Sequence, residues 1–145
     1  MKNVLKLSLV MMLFTAFIAC SSDDSDTMAE IRINNVAFDN GDDFFGDING
    51  DFTGSGGSIT KTFFWQNSLS TADYNADITA STGGIFRMVV KDADGATVID
   101  RSLNGAVEPD SFSGVTSSGT PGLWSVTITL TNFVGNGSFS LSEGN

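Results

Sequence analysis

Five aspartates and two asparagines lie within residues 39–51, and this segment is the first candidate for chemistry. Carboxylate and amide oxygens are the ligands that Ca²⁺ prefers, and crowded carboxylates repel one another unless a cation lies between them. Phe52 and Ser58 occupy the sixth and twelfth positions of a calcium loop counted from Asp47, where Gly and an acid are expected. A polar loop without metal therefore stays the alternative. The candidate calcium ligands are Asp39, Asp42, Asp43, Asp47, Asn49 and Asp51.

Aromatic side chains form the second candidate site. Trp65 follows Phe63 and Phe64, so the three cannot all face one side of a strand, and Tyr74 opens the next predicted strand. An exposed Trp or Tyr stacks on sugar rings while Asp and Asn bond the hydroxyls. Trp65 and Tyr74 are thus the candidate stacking residues for a glycan, and burial in the core is the alternative.

Catalysis has little support in this composition. The chain has no His, so a Ser nucleophile would lack its usual base, and there is no Gly-x-Ser-x-Gly elbow. Nothing singles out a pair of carboxylates for glycoside hydrolysis. The formal net charge of −10 also argues against a nucleic-acid partner, because phosphate binding needs clustered Lys and Arg. We expect a protein that is not an enzyme, and calcium is the only candidate cofactor.

The only cysteine, Cys20, directly follows a largely apolar run over residues 7–19. Lys2 and Lys6 precede this run, and a basic segment before a short apolar run is typical of a secretory signal peptide. The run is too short to span a membrane, which takes about 20 residues. A single thiol cannot form an internal disulfide, so its position after the run calls for another explanation.

The sequence Phe17-Ile18-Ala19-Cys20 resembles the lipobox of bacterial lipoproteins. The resemblance implies that residues 1–19 are removed as a signal peptide and that Cys20 receives acyl chains, palmitate among them, which anchor the protein. Ser22, Asp23 and Asp24 resemble the export signal of Bacteroidetes-type surface lipoproteins, which implies display on the outer membrane at the cell surface.

Residues 20–28 would then form the lipidated Cys and a flexible acidic tether. Cleavage before Cys20 leaves five bases against 17 acids, a net charge of −12. Such a chain is repelled by anionic lipid, so the acyl chains rather than a basic patch would hold it at the membrane.

Residues 29–145 predict one β-domain without helices. Apolar and polar residues alternate, and Gly, Asn, Asp or Ser clusters interrupt them about every ten residues. We expect a two-sheet antiparallel β-sandwich with a C-terminal hairpin that turns at residues 132–136. The predicted core contains Phe38, Phe63 or Phe64, Phe86, Trp124 and Phe139. The predicted strands cover residues 31–38, 59–65, 74–81, 85–91, 97–103, 111–115, 124–131 and 137–141.

The second half of the domain resembles the closing strands of jelly-roll accessory modules from secreted bacterial proteins. The similarity lies in segments 84–86 (GIF), 91–95 (KDADG), 121–126 (PGLWSV) and 135–139 (GNGSF). It implies a jelly-roll-like sandwich over residues 84–142 and no particular ligand.

Two functions follow as expectations. The first is a non-catalytic surface lipoprotein whose sandwich binds a glycan or an envelope protein, and the second is a structural or accessory subunit of a larger envelope complex. A calcium-binding module is a further alternative. A glycan binder should expose aromatics on a concave face, whereas an accessory subunit should show an apolar patch or an open sheet edge.

Overall fold

The computed structural model describes residues 28–80 and 82–144, and all regular secondary structure within them is β-strand. The predicted all-β class is therefore confirmed. No helix able to cross a membrane occurs among these described residues. The strands are β1 (Ala29–Ile33), β2 (Val36–Ala37), β3 (Asp43–Phe44), β4 (Ile48–Asn67), β5 (Ala72–Ala80), β6 (Ile85–Lys91), β7 (Thr97–Asn104), β8 (Ser111–Val115) and β9 (Gly122–Glu143).

Two long strands form the spine of the molecule. β4 has 20 residues and β9 has 22, and they pair antiparallel from Ile48↔Leu141 to Asn67↔Gly122. The register shifts between Ser55 and Ile59, which marks a β-bulge, and a bulge bends the strand that carries it. All nine strands are hydrogen-bonded into one sheet, where two separate sheets were expected.

The bulge divides this sheet into two halves. The first half contains β2, β1, residues 48–54 of β4, the end of β9, β5 and β8. The second half contains β3, residues 59–67 of β4, the start of β9, β6 and β7. Phe52 of the first half stacks on Phe86 of the second, with ring centroids 4.6 Å apart, so the two halves face each other across the core.

The molecule has two opposite ends along its strands. The bend end contains the bulge of β4 and residues 132–135 of β9. The loop end contains residues 39–47, 67–71, 92–96 and 116–121. Eight residue steps separate Ile59 from Asn67 in β4, which places the two ends roughly 27 Å apart at about 3.4 Å per residue.

The predicted C-terminal hairpin is wrong. Residues 132–136 do not form a hairpin turn, because the two halves of β9 do not pair with each other and β4 stays paired beside both of them. Asn132 and Gly135, with φ of 45° and 145°, lie where β9 bends from one half of the folded sheet into the other. β6 and β8 have the predicted bounds, and β5 and β7 lie within two residues of theirs. The predicted strand over residues 31–38 is wrong: it is two short antiparallel strands, β1 and β2, joined by a turn at Asn34 and Asn35, which both have positive φ. β4 begins at Ile48 rather than at residue 59.

The predicted core residues are buried. Phe63, Phe86 and Trp124 are 0% exposed, and Phe38 and Phe139 are at most 6% exposed. Phe64 is half-buried on the outer face. The core therefore forms from the inward face of each strand, as the alternation predicts.

Two lateral seams remain where the halves of the folded sheet meet. The β3 seam is the side closed by residues 38–44 and Phe63. The β8 seam is the opposite side, where β8 of the first half lies near β7 of the second half. The predicted acidic segment lies at the β3 seam, and the predicted stacking residue Tyr74 lies at the β8 seam.

Candidate functional site

The acidic segment 39–44 covers the edge of β4. The Asn40 side-chain oxygen accepts from the Thr62 amide at 2.8 Å, the Gly41 amide donates to the Thr62 carbonyl at 2.9 Å, and the Asp42 carbonyl accepts from the Phe64 amide at 2.8 Å. Backbone groups on an open strand edge otherwise need water or another chain. The conformation of this segment is thus explained by edge coverage rather than by a metal.

The six predicted calcium ligands are not brought together. Asp51 lies on the outer face of β4 and forms an ion pair with Arg32 at 2.6 Å, while one Asp42 oxygen accepts from the Asp39 amide at 2.9 Å. Asn49 and Asp51 line one surface pocket together with Asn34 and Asn35, but Asp39, Asp42, Asp43 and Asp47 do not line it. Among residues 28–80 and 82–144, no three His, Cys, Asp or Glu side chains gather where they could share a metal ion. The ligand set Asp39, Asp42, Asp43, Asp47, Asn49 and Asp51 therefore fails on geometry.

Trp65 is not a stacking platform, and this prediction is wrong. Its side chain is 0% exposed, and its ring packs edge-on against Trp124 at 6.1 Å. The indole N–H donates to the Gly46 carbonyl at 2.7 Å. Trp65 points inward because it alternates with Phe64 along β4, and it ties the acidic segment to the sheet.

Tyr74 lies at the margin of the core rather than on an open face. It is half-buried and packs edge-on against Phe112 of β8, with centroids 5.9 Å apart. A Cβ at Gly114 would lie only 3.0 Å from the Tyr74 hydroxyl, so Gly114 leaves room for the ring. Tyr74 thus packs against β8 and is not an open platform for a sugar ring.

The structure exposes one aromatic side chain beside Trp65 that the stacking prediction passed over. Phe45 follows β3 and is 73% exposed. The chain is held on both sides of it, since Phe44 pairs with Trp65 in the sheet and the Gly46 carbonyl accepts from the Trp65 indole. The sequence carried a signal, because Phe45 stands inside the acidic loop where no core pattern requires it.

Asp92 is a buried carboxylate, 6% exposed, that was not among the predicted site residues. It accepts from the backbone amides of Thr120 and Ala96 at 2.8 Å and of Asp94 at 3.1 Å. These hydrogen bonds, above all the one from Thr120, hold the Asp92 pKa below its usual range although burial opposes the charge. Asp92 therefore joins the β6–β7 turn to the chain that follows β8.

One pocket opens near the bend end. It has a volume of about 280 Å³ and is polar and shallow. Glu108 and Asp110 line it together with Val107, which is 60% exposed. Nothing in its lining forms a nucleophile with a base, so this pocket offers no arrangement for covalent catalysis.

The predicted lipidation residue Cys20 and the predicted sorting residues Ser22, Asp23 and Asp24 lie outside the described residues. Searches against protein-family models, curated proteins and solved structures gave no significant match.

Proposed function

We propose that this chain is a lipid-anchored protein of the bacterial cell surface that binds an envelope protein without catalysis. The acyl anchor is Cys20, and the β-domain presents the contact surface. The proposal combines the lipobox-like sequence with the position at which the chain enters the domain.

The entry point of the chain supports an upright presentation. The Met28 carbonyl accepts from the Ser55 amide at 2.8 Å and from the Gly57 amide at 3.1 Å, so the chain enters at the bend end. Cys20 precedes Met28 by eight residue steps, which span at most roughly 28 Å when extended. An anchor at Cys20 therefore keeps the bend end within roughly 28 Å of the membrane and leaves the loop end free to face outward.

Phe45 is the residue that carries the proposed contact. It projects from the loop end on a turn that is fixed by β3 and by the Trp65 indole. A rigid exposed aromatic loses little conformational entropy on binding, which is a common property of interface hot spots. Phe45 thus fits an apolar pocket on a partner.

The charge around Phe45 defines the rest of the partner surface. Asp42, Asp43 and Asp47 are exposed on the same loop. If the pocket on the partner is surrounded by Lys or Arg, attraction to these carboxylates would raise the association rate and orient the two proteins. A protein partner is favoured over a glycan because the predicted stacking residue Trp65 is buried.

Capture from native membranes tests the contact. The tagged full-length protein is expressed in its own cells, and the envelope protein recovered with it is quantified after mild solubilisation. We expect Phe45→Ser to reduce recovery of that protein at least tenfold, which corresponds to about 1.4 kcal/mol. Val107→Ser is the matched control, since Val107 is 60% exposed but lies toward the bend end.

The anchor is tested separately in the same cells. Intact mass should show loss of residues 1–19 and an acylated Cys20, and Cys20→Ala should leave the protein unprocessed or released from the membrane. Alanine at Asp23, Asp24 and Asp26 should keep the lipid but protect the protein from protease added outside the cells. Equal recovery with Phe45→Ser and with wild type would refute the contact, and an unmodified Cys20 would refute the anchor.

A further inference from the structure

β8 carries an open strand edge whose hydrogen-bonding groups can be assigned. The Thr116 amide donates to the Ala72 carbonyl at 2.9 Å, and the Ile78 amide donates to the Asp110 carbonyl at 2.8 Å, so even-numbered residues of this segment bond to β5. In an antiparallel pair, alternate residues direct their N–H and C=O groups to opposite sides. The backbone groups of the odd-numbered residues, Ser111, Ser113 and Val115, therefore point away from the sheet.

This edge lacks the devices that usually prevent strand pairing. β8 has the sequence SFSGV, with no charged residue, no proline and no bulge, and Val115 is 59% exposed. β2 and β3 are edge strands of only two residues each. Short length, charge and bulges are the common means of protecting an edge, so β8 is the unprotected edge among the described strands.

β7 shows what a protected edge looks like in the same molecule. Arg101 pairs with Met88 in the sheet and thus points to the core side, where its guanidinium lies over the Phe112 ring at 5.2 Å. The ladder shifts register near Val98, whose carbonyl accepts from the Ser117 amide at 3.3 Å. An inward-pointing charge and a bulge both disfavour the addition of a strand.

We propose that β8 pairs antiparallel with β8 of a second copy of this chain, about a two-fold axis through Ser113. In this register Ser113 faces Ser113 of the second copy, and Ser111 faces Val115. Because these residues are the ones with free backbone groups, the pairing forms about six backbone hydrogen bonds. The contact is isologous and closes after two copies.

The side chains in this register are compatible with each other. On the inner face, Phe112 of each copy lies beside Gly114 of the other, where no side chain obstructs it. On the outer face the two Ser113 hydroxyls meet and can share a hydrogen bond. β8 has no charged side chain, so the pairing of the two strands buries no charge within them.

The surrounding charges permit the pairing although each copy is acidic. The two-fold register puts Asp110 of one copy opposite Thr116 of the other rather than opposite another acid. Asp77 pairs with Ser111 and Asp73 with Val115, so Asp77 lies three strand spacings from Asp73 of the second copy. That separation is about 14 Å, beyond the Debye length of about 10 Å at 0.1 M salt.

The polarity of the pairing has a consequence that rests on the proposed lipid anchor. β8 runs from the bend end toward the loop end, since Ser111 pairs with Asp77 and Val115 with Asp73. Antiparallel pairing therefore puts the two chain entry points at opposite ends of the dimer. This arrangement suits copies anchored in two facing membranes better than neighbours standing upright in one.

Cysteine crosslinking of the lipidated full-length protein in detergent tests the register. Facing residues in a hydrogen-bonded antiparallel pair have Cα atoms about 5.5 Å apart, which lies within the range for disulfides. We expect Ser113→Cys to form a covalent dimer on oxidation, and Ser111→Cys alone to remain monomeric. A mixture of Ser111→Cys and Val115→Cys should crosslink. Equal crosslinking of Ser111→Cys alone and Ser113→Cys, or none by any variant, would overturn the proposal.

Analytical ultracentrifugation at about 0.1 mM protein measures the uncrosslinked dimer. Ser113→Lys puts two like charges face to face and should abolish it, whereas Ser102→Lys, the same change on the protected edge of β7, should leave it intact. Phe45→Ser should dimerise like wild type, which separates failure of this proposal from failure of the Phe45 contact. Self-pairing would be refuted if wild type forms no dimer in the ultracentrifuge. If, in addition, Ser113→Lys loses a protein that wild type captures from native membranes and that Phe45→Ser still captures, the edge would be assigned to that partner instead.

Discussion

The two seams of the folded sheet are closed by similar side chains and by different backbones. At the β3 seam, the rings of Phe38, Phe44 and Phe63 meet edge to face with centroids 5.4 to 5.8 Å apart, and the Lys61 ammonium lies 5.4 Å from the Phe38 ring. At the β8 seam, Phe112 meets Tyr74 and Phe86, and Arg101 lies over its ring. Each seam thus has an aromatic cluster beneath one cation.

The backbone makes the difference between the seams. Residues 39–44 hydrogen-bond to the β4 edge at the β3 seam, whereas β7 and β8 share no ladder pairing within the described residues. Packing of side chains alone can therefore close a core while its strand edge keeps its hydrogen-bonding capacity. Side-chain packing thus stabilises both seams, whereas free backbone groups that a partner strand could bind remain at the β8 seam.

Truncating the aromatic clusters should have the largest effect. Phe63→Ala should destabilise the domain by about 3–5 kcal/mol, because Phe63 is fully buried, and Phe112→Ala should lie at the lower end of that range. Phe45→Ala is the matched control and should change stability by no more than about 0.5 kcal/mol. Urea unfolding monitored by tryptophan fluorescence measures all three. A smaller loss for Phe63→Ala than for Phe45→Ala would contradict the described core.

Removing the Asp92 tie at the loop end of the β8 seam should have the next largest effect. Asp92→Ala leaves the amides of Thr120, Ala96 and Asp94 without their acceptor and should lower Tm by on the order of 5 °C at pH 7. Asp94→Asn, a change at an exposed turn position, is the control and should have a smaller effect.

The same carboxylate predicts a pH dependence. Because the folded pKa of Asp92 is lowered, its stabilisation is present above its unfolded pKa of about 3.9 and is lost as pH falls through the folded value. Arg87 lowers the pKa of Asp100 as well, so wild type loses stability from both groups in acid. Asp92→Ala should lose less Tm than wild type between pH 5 and pH 2, and parallel curves would exclude this role for Asp92.

Neutralising the two cations should have the smallest effect on stability and should distinguish the seams. Lys61 donates to the Phe38 carbonyl at 2.7 Å as well as lying over its ring, so Lys61→Met should cost about 0.5–1 kcal/mol. Arg101→Met should cost no more than that but should increase self-association, because it removes the inward charge from the β7 edge. Light scattering at matched concentration checks this, and equal scattering by both variants would remove the proposed protective role of Arg101.

Alternation predicted the fold wherever one face of a strand is apolar. β6 was predicted with the correct bounds because the fully buried Phe86, Met88 and Val90 alternate with neighbours that are more exposed. The first part of β4 was interpreted as a loop because residues 48–58 are rich in Gly, Asn, Asp and Ser. Its pairing depends on tertiary packing, since a Cβ at Gly50 would overlap the Phe139 ring.

The candidate sites were less predictable than the strands. The acidic segment was predicted as a calcium loop, whereas its role in covering the β4 edge depends on contacts with residues about 20 positions away in sequence, such as Asn40 with Thr62. Trp65 was predicted as an exposed stacking residue and is buried, whereas Phe45 is the exposed ring beside it, because a short parallel strand at Asp43 and Phe44 holds this segment against β4. No local pattern encodes that pairing.

β9 determines when this protein can begin to fold. It pairs with β4, β5 and β6, and its residues Leu141 and Gly122 meet Ile48 and Asn67, far earlier in the chain. Closing such long loops is entropically costly, so folding is slow and depends on contacts between distant segments. A nascent chain that lacks residues 122–143 has no central strand on which the others can assemble. The folded sheet can therefore close only once residues 122–143 are present, because they join the β4, β5 and β6 ladders into one structure.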